Sequence, residues 1–212
     1  MSTKNAMPSP PQDRSSQHSK ISRRLQLLSI CNDMTETPQQ YTTRIVTHVQ
    51  GKEPLKVQAA TASKIARLLK GVPASRLRKR PAPGKWSVAE IVIHLADAEI
   101  AGSFRYRFIL GAPGSPVIAF DQDAWVKELH YDKRDVRTAL EQFRALREAN
   151  LNLLKTLTPE QLQHYGMHSE RGKETIEHIA RMFAGHDLNH LAQIEAILSA
   201  PKARSAASGK GR

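Results

Sequence analysis

Three histidines are the residues of this chain whose type and spacing best suit chemistry. His186 and His190 stand four apart in Ala184-Gly185-His186-Asp187-Leu188-Asn189-His190-Leu191-Ala192-Gln193-Ile194-Glu195. A helix turns about 100° per residue, so the pair lies one turn apart on one face. Ile179, Met182, Phe183, Gln193 and Ile197 fall within roughly 60° of His186, which turns this face toward the core. Two inward imidazoles at this spacing can share one metal ion if a third ligand joins them. The competing reading is two ordinary core histidines whose ring nitrogens are satisfied by neighbours. His94 is the distant third candidate. Ser87, Glu90, Ile91, Ala98, Ala101, Arg105 and Phe108 share its helical face to within about 60°, so it too looks inward. Glu90 and Asp97 flank it as carboxylates that could orient an imidazole, with surface or interhelical pairing as the alternative.

Placing these side chains requires helices, and four amphipathic segments supply them. The first runs from Leu55 to Leu69 and stops at Gly71 and Pro73. The second opens at Trp86-Ser87-Val88-Ala89-Glu90, with capping-box spacing between Ser87 and Glu90, and continues to Leu110. A third spans Lys133 to Thr156, and a fourth opens near Gly172-Lys173-Glu174-Thr175 and reaches Leu198. No alternating run is long enough to compete as a strand. The predicted class is therefore all-α, a four-helix bundle. Between the second and third helices, Val117 to Val126 is too long for a tight turn. Its Asp121, Asp123 and Trp125, with Arg105 from the second helix, are candidates to line a cleft; an aspartate cap followed by a buried tryptophan is the plainer alternative. The basic stretch Arg76 to Gly84 reads as a solvated, proline-stiffened loop or as a phosphate contact.

The net charge is +12 over 212 residues, and its location matters. Residues 1–33 hold a net +3 and residues 201–212 a net +4. These Ser-, Pro-, Lys- and Gly-rich ends are expected to be a disordered leader (1–42) and tail (201–212) around one domain at 43–200. Met34 opens a stretch that itself reads like a protein start. With the excess charge in the ends and no recognition motif, no specific nucleic-acid partner is expected. No apolar run approaches the ~18 residues of a membrane span, and no export signal is recognisable, so a cytoplasmic protein is expected. Cys31 is the single cysteine, which rules out an internal disulfide and fits a reducing compartment.

The stretches Lys85-Trp86-Ser87-Val88-Ala89-Glu90-Ile91-Val92-Ile93-His94-Leu95-Ala96-Asp97-Ala98-Glu99 and His186-Asp187-Leu188-Asn189-His190-Leu191-Ala192-Gln193-Ile194 together resemble the DinB-like superfamily. That resemblance implies a four-helix bundle, often dimeric, with a three-histidine site for a divalent metal at His94, His186 and His190. Phe120-Asp121-Gln122-Asp123-Ala124-Trp125 looks like the loop that members place beside the metal. Three neutral imidazoles leave coordination positions open. Zinc is the default ion, and an open octahedral site would also take nickel, iron or manganese. The implied function is a metal-dependent enzyme acting on a small-molecule substrate, as a hydrolase or as an S-transferase using an external low-molecular-weight thiol. The alternative is a non-catalytic, stress-related metal- or ligand-binding protein. Ala180, Ala184, Leu188 and Leu191 lie on the back of the fourth helix, away from the histidines. A homodimer with Leu188 and Leu191 near its axis would cover them, as would packing within the chain.

Overall fold

The structure, a computed structural model, describes residues 36–200. Its frame is four long helices: α2 (Pro54–Leu69), α4 (Val88–Gly111), α6 (Val136–Lys155) and α8 (Ile176–Ser199). Each starts where a side chain accepts a free backbone N–H of the first turn: Glu53 for α2, Ser87 for α4, Asp135 for α6 and Thr175 for α8. Ser87 and Glu90 form a reciprocal capping box. Helix α4 packs on α6, α2 packs on α8, and both α2–α6 and α4–α8 contacts close the bundle. Within it, α4 is buried almost all round between Val88 and Glu99, so that Glu90, His94, Asp97 and Glu99 are enclosed along with its apolar residues.

Three features depart from the sequence reading. First, a helix α1 (Pro38–Thr47), with its own Thr37–Gln40 capping box, precedes the expected four and packs against α8. The fold thus begins ahead of residue 43; the rest of the expected leader and tail, Cys31 included, lies outside the described residues. Contact with α8 is backbone to backbone: a Cβ on Gly185 would sit 2.1 Å from the Ile45 carbonyl oxygen. Second, a small sheet joins the helices. Strand β1 (Pro116–Val117) runs parallel to β2 (Tyr165–His168), which pairs antiparallel with β3 (Gly172–Thr175). Gly172, at φ 78°, supplies the left-handed residue at the β2–β3 turn. What reads as the opening of the fourth helix is thus mostly strand, and α8 begins only after its Thr175 cap. Third, short helices α3 (Ala74–Leu77), α5 (Gln122–Glu128) and α7 (Pro159–Leu162) fill the connections.

Most of the back of α8 is covered within the chain, with Leu188 only half-buried. Ala180, Ala184 and Leu191 are 6%, 0% and 5% exposed, and Leu191 belongs to a core cluster with Ala62, Ile65 and Ile194. Leu191 therefore cannot lie at a dimer axis, because α2 already occupies that face. Among the described residues no helix is long and apolar enough to cross a membrane.

Candidate metal centre

His94 from the second turn of α4 meets His186 and His190 from the middle of α8, although 92 residues separate His94 from His186 along the chain. The Nε2 atoms of His94 and His186 are 3.0 Å apart, as are those of His186 and His190, and one ring nitrogen from each residue lies within 4.8 Å of the others. Two nitrogens each about 2.0–2.1 Å from one ion lie roughly 3 Å apart when their bonds meet near a right angle. His186 thus stands at the spacing of a neighbouring ligand to each of the other two imidazoles. Burial pulls all three below the ordinary histidine pKa, assisted at His94 by His190 and His186, at His186 by Arg147, and at His190 by His186. His186 is brought to about 4. At neutral pH the rings are uncharged, the state a ligand needs.

The surroundings differ from the sequence reading. The Gln193 Oε1, 2.8 Å from His190 Nδ1, accepts a hydrogen bond from that N–H and turns Nε2 toward the other rings. Trp86 fixes the ring of His94 at 4.8 Å between centroids and stacks parallel to His190 at 6.3 Å. Its own Nε1–H donates to Asp123 at 3.1 Å. Glu90 and Asp97 orient no imidazole: Glu90 is engaged by Arg80 and the Ser87 cap, and Asp97 by Arg134. His94 Nδ1 is buried without a hydrogen-bond partner. The basic linker is spent on structure, with Arg76 donating to the Leu198 carbonyl and Arg78 to that of Arg134.

Behind the histidines lies a buried ionic cluster. Arg147, 3% exposed, donates from Nε and Nη2 to Glu99 Oε2 at 3.0 and 2.8 Å and pairs through Nη1 with Asp187. Asn150 Nδ2 donates to the second Glu99 oxygen at 2.8 Å, and the Thr61 hydroxyl to Asp187 Oδ2 at 2.9 Å. Asp187 follows His186 directly on α8, so this cluster anchors the backbone that carries His186.

In front of the histidines is a cavity of about 910 Å³. Its wall includes Tyr41 and Arg44 of α1, Ala98 and Arg105 of α4, Phe120 and Asp121 of the loop into α5, Asp123 of α5 itself, and His168, Arg171 and Glu174 of the sheet and its β2–β3 turn. Of the cleft candidates, Asp121, Asp123 and Arg105 line it. Asp121 does so while capping α5 through the N–H groups of Asp123 and Ala124. Trp125 does not: it lies under Phe120, ring centroids 4.1 Å apart, and packs on the core. The sheet residues escaped the sequence reading because their strands are too short to show a period, whereas α1 does carry signals that could have found it, an amphipathic pattern and the Thr37–Gln40 capping box.

A family model described as the DinB superfamily matches residues 59–194. A protein of Halalkalibacterium halodurans named "Putative metal-dependent hydrolase" is 28% identical over 122 residues, covering 58% of this chain and 71% of that protein. One of the same name from Oceanobacillus iheyensis is 28% identical over 123 residues, covering 58% and 70%. Among solved structures, YfiT from Bacillus subtilis, described as "a probable metal-dependent hydrolase with an unusual four-helix bundle topology", superposes with a TM-score of 0.65 at 20% identity over 78% of this chain and 90% of that one. The expected bundle is thereby matched by fold, and the chain belongs to the DinB superfamily.

Proposed function

We propose that this protein is a metal-dependent enzyme that hydrolyses a small molecule, with His94, His186 and His190 holding a divalent ion. The observation that carries this reading is the convergence of three uncharged Nε2 atoms at the edge of a cavity large enough for a substrate. A bound ion there supplies Lewis-acid chemistry that lowers the pKa of water or of a thiol. The chain's own residues do the rest. Gln193 and Trp86 hold the imidazoles in register, Phe120 and Phe183 exclude water from part of the wall, and Asp121, Asp123 and Arg105 present polar atoms to a substrate. Zinc is the expected ion; nickel, iron and manganese suit the same open set. Transfer to an external low-molecular-weight thiol is the second reading. It is compatible because the only cysteine, Cys31, lies outside the described residues and the cavity wall supplies no thiol. Hydrolysis is preferred on the names of the two relatives. A cytoplasmic homodimer completes the reading, with an interface other than the back of α8.

The test is to load the full chain with zinc, nickel or manganese and offer ester, amide and electrophilic substrates with and without cellular thiols. Metal-dependent cleavage without thiol is expected. Conjugation that requires thiol would replace hydrolysis by transfer, and metal binding with neither activity would leave a ligand-binding protein.

A further inference from the structure

Helix α4 carries, beyond the histidines, an arginine that forms no ion pair with a carboxylate among the described residues. His94 and Arg105 are eleven residues apart, close to three turns, so they share a face with Cα atoms roughly 16 Å apart along the axis. Between them this face bears only Ala98 and Ala101, and Ala98 lines the cavity, so no bulky side chain of α4 separates the two ends. Side chains on a helix lean toward its N-terminus, which tips Arg105 back toward His94.

Arg105 is half-buried. Its Nη2 donates to the Ile118 carbonyl at 3.0 Å and its guanidinium lies 5.6 Å from the Phe120 ring centre. Among the described residues no carboxylate pairs with it, whereas the other arginines of the wall are matched, Arg44 to Glu36 at 2.8 Å and Arg171 to Glu174 at 2.6 Å. Burial, with Arg171 nearby, pulls its pKa below the ordinary value against the opposing field of Glu174, as expected for a charge short of water. His168 is the second observation. It is 3% exposed, and its Nδ1 accepts the backbone N–H groups of Glu170 and Arg171 at 3.2 and 3.4 Å. The proton of the ring is therefore on Nε2, which is buried and has no partner, although His168 lines the cavity. Buried donors are normally satisfied, so one left over in a cavity wall marks a place for an acceptor.

We propose that Arg105 and His168 form a carboxylate seat, so that the cavity takes a small molecule with its reacting group at the histidines and a free carboxylate held by the Arg105 fork and the His168 Nε2–H. Which end reacts rests on the metal-centre reading; the seat itself does not. A planar carboxylate matches the planar guanidinium in two parallel hydrogen bonds. A dianionic phosphate suits the place less well, because it would bring a second negative charge toward Glu174 and the exposed Glu170 of the same wall.

Hippurate and its neutral amide, hippuramide, are the probes, titrated calorimetrically into the full chain both as purified and after metal removal. Hippurate is expected to bind about tenfold or more tightly than hippuramide, with and without metal. Arg105→Gln should abolish that preference while keeping the thermal midpoint and zinc uptake of the wild type. Arg105→Lys, which keeps the charge and loses the fork, should retain only part of it and serves if the glutamine variant does not fold. Equal affinities, no heat from hippurate at millimolar concentration, a preference that survives Arg105→Gln, or tighter binding of phenyl phosphate than of hippurate would overturn the proposal. Failure of the metal-centre reading has a different signature: no zinc uptake, with the hippurate preference intact.

Discussion

Replacing Arg147 with methionine tests whether the buried ionic cluster holds the bundle together. The substitution keeps most of the side-chain volume over Phe143, whose ring centre is 4.6 Å from the guanidinium carbon, and removes every bond from Arg147 to Glu99, Asp187 and the Gln58 carbonyl. Two carboxylates, 1% and 0% exposed, are left without a cation. Each keeps one neutral donor, Asn150 for Glu99 and Thr61 for Asp187. Breaking a buried pair from one side costs about 3–5 kcal/mol, and the retained donors favour the lower half of that range. At roughly 2–4 °C per kcal/mol for a chain of this size, the midpoint should fall by roughly 6–16 °C. Equilibrium urea unfolding of the metal-free protein gives the free energy directly. The triple variant Arg147→Met, Glu99→Gln, Asp187→Asn, which removes the orphaned charges and keeps the hydrogen-bonding shapes, should recover more than half of the loss. A single-variant loss under about 1 kcal/mol, or a triple variant no better than the single, would show that the charges are not what the arginine compensates.

The other predictions concern the ligands and their supports. A four-ligand zinc site is worth about 10–16 kcal/mol, so removing one ligand in His94→Ala should weaken zinc binding roughly a hundredfold in chelator competition; an unchanged affinity would remove His94 from the site. Metal-free protein should lose stability on acidification: His186 has a folded pKa of about 4 against about 6.5 unfolded, so the contribution present above pH 6.5 is lost as pH falls through 4, up to about 3 kcal/mol. A flat urea midpoint between pH 7 and 4.5 would contradict this. Gly185→Ala places a methyl against the Ile45 backbone and should cost about 1–3 kcal/mol, with faster amide exchange confined to α1; unchanged exchange there would mean the helices separate more easily than the contact implies.

The histidines and their helices were legible because both sit in long helical segments: α4 announces itself by the Ser87–Glu90 box and α8 by the inward i, i+4 pair. The rest of the site was not, for physical reasons. His168 and Arg171 belong to four-residue strands and their turn, too short to show a period of two, and their place at the cavity depends on β1 pairing across some fifty residues of chain. Helix α1 owes its position to the missing side chain of Gly185, which no hydrophobic pattern reveals. Asp97 and Glu90 misled because a carboxylate near a histidine in sequence says nothing about which arginine, here Arg134 and Arg80, folds back to claim it. The back of α8 looked like a dimer face because its small and apolar residues fit equally well under α2.

The distance along the chain between His94 and His186 has a consequence for how this protein would behave in a cell. An ion shared by them, as proposed, would close a loop that contains all of α6 and the sheet, so it would bind the folded chain and have almost nothing to bind once α4 and α8 part. Stability then tracks free metal, rising by about 1.4 kcal/mol for each tenfold excess over the dissociation constant. Metal scarcity would be felt first as shortened lifetime against proteolysis, before any loss of turnover could be measured.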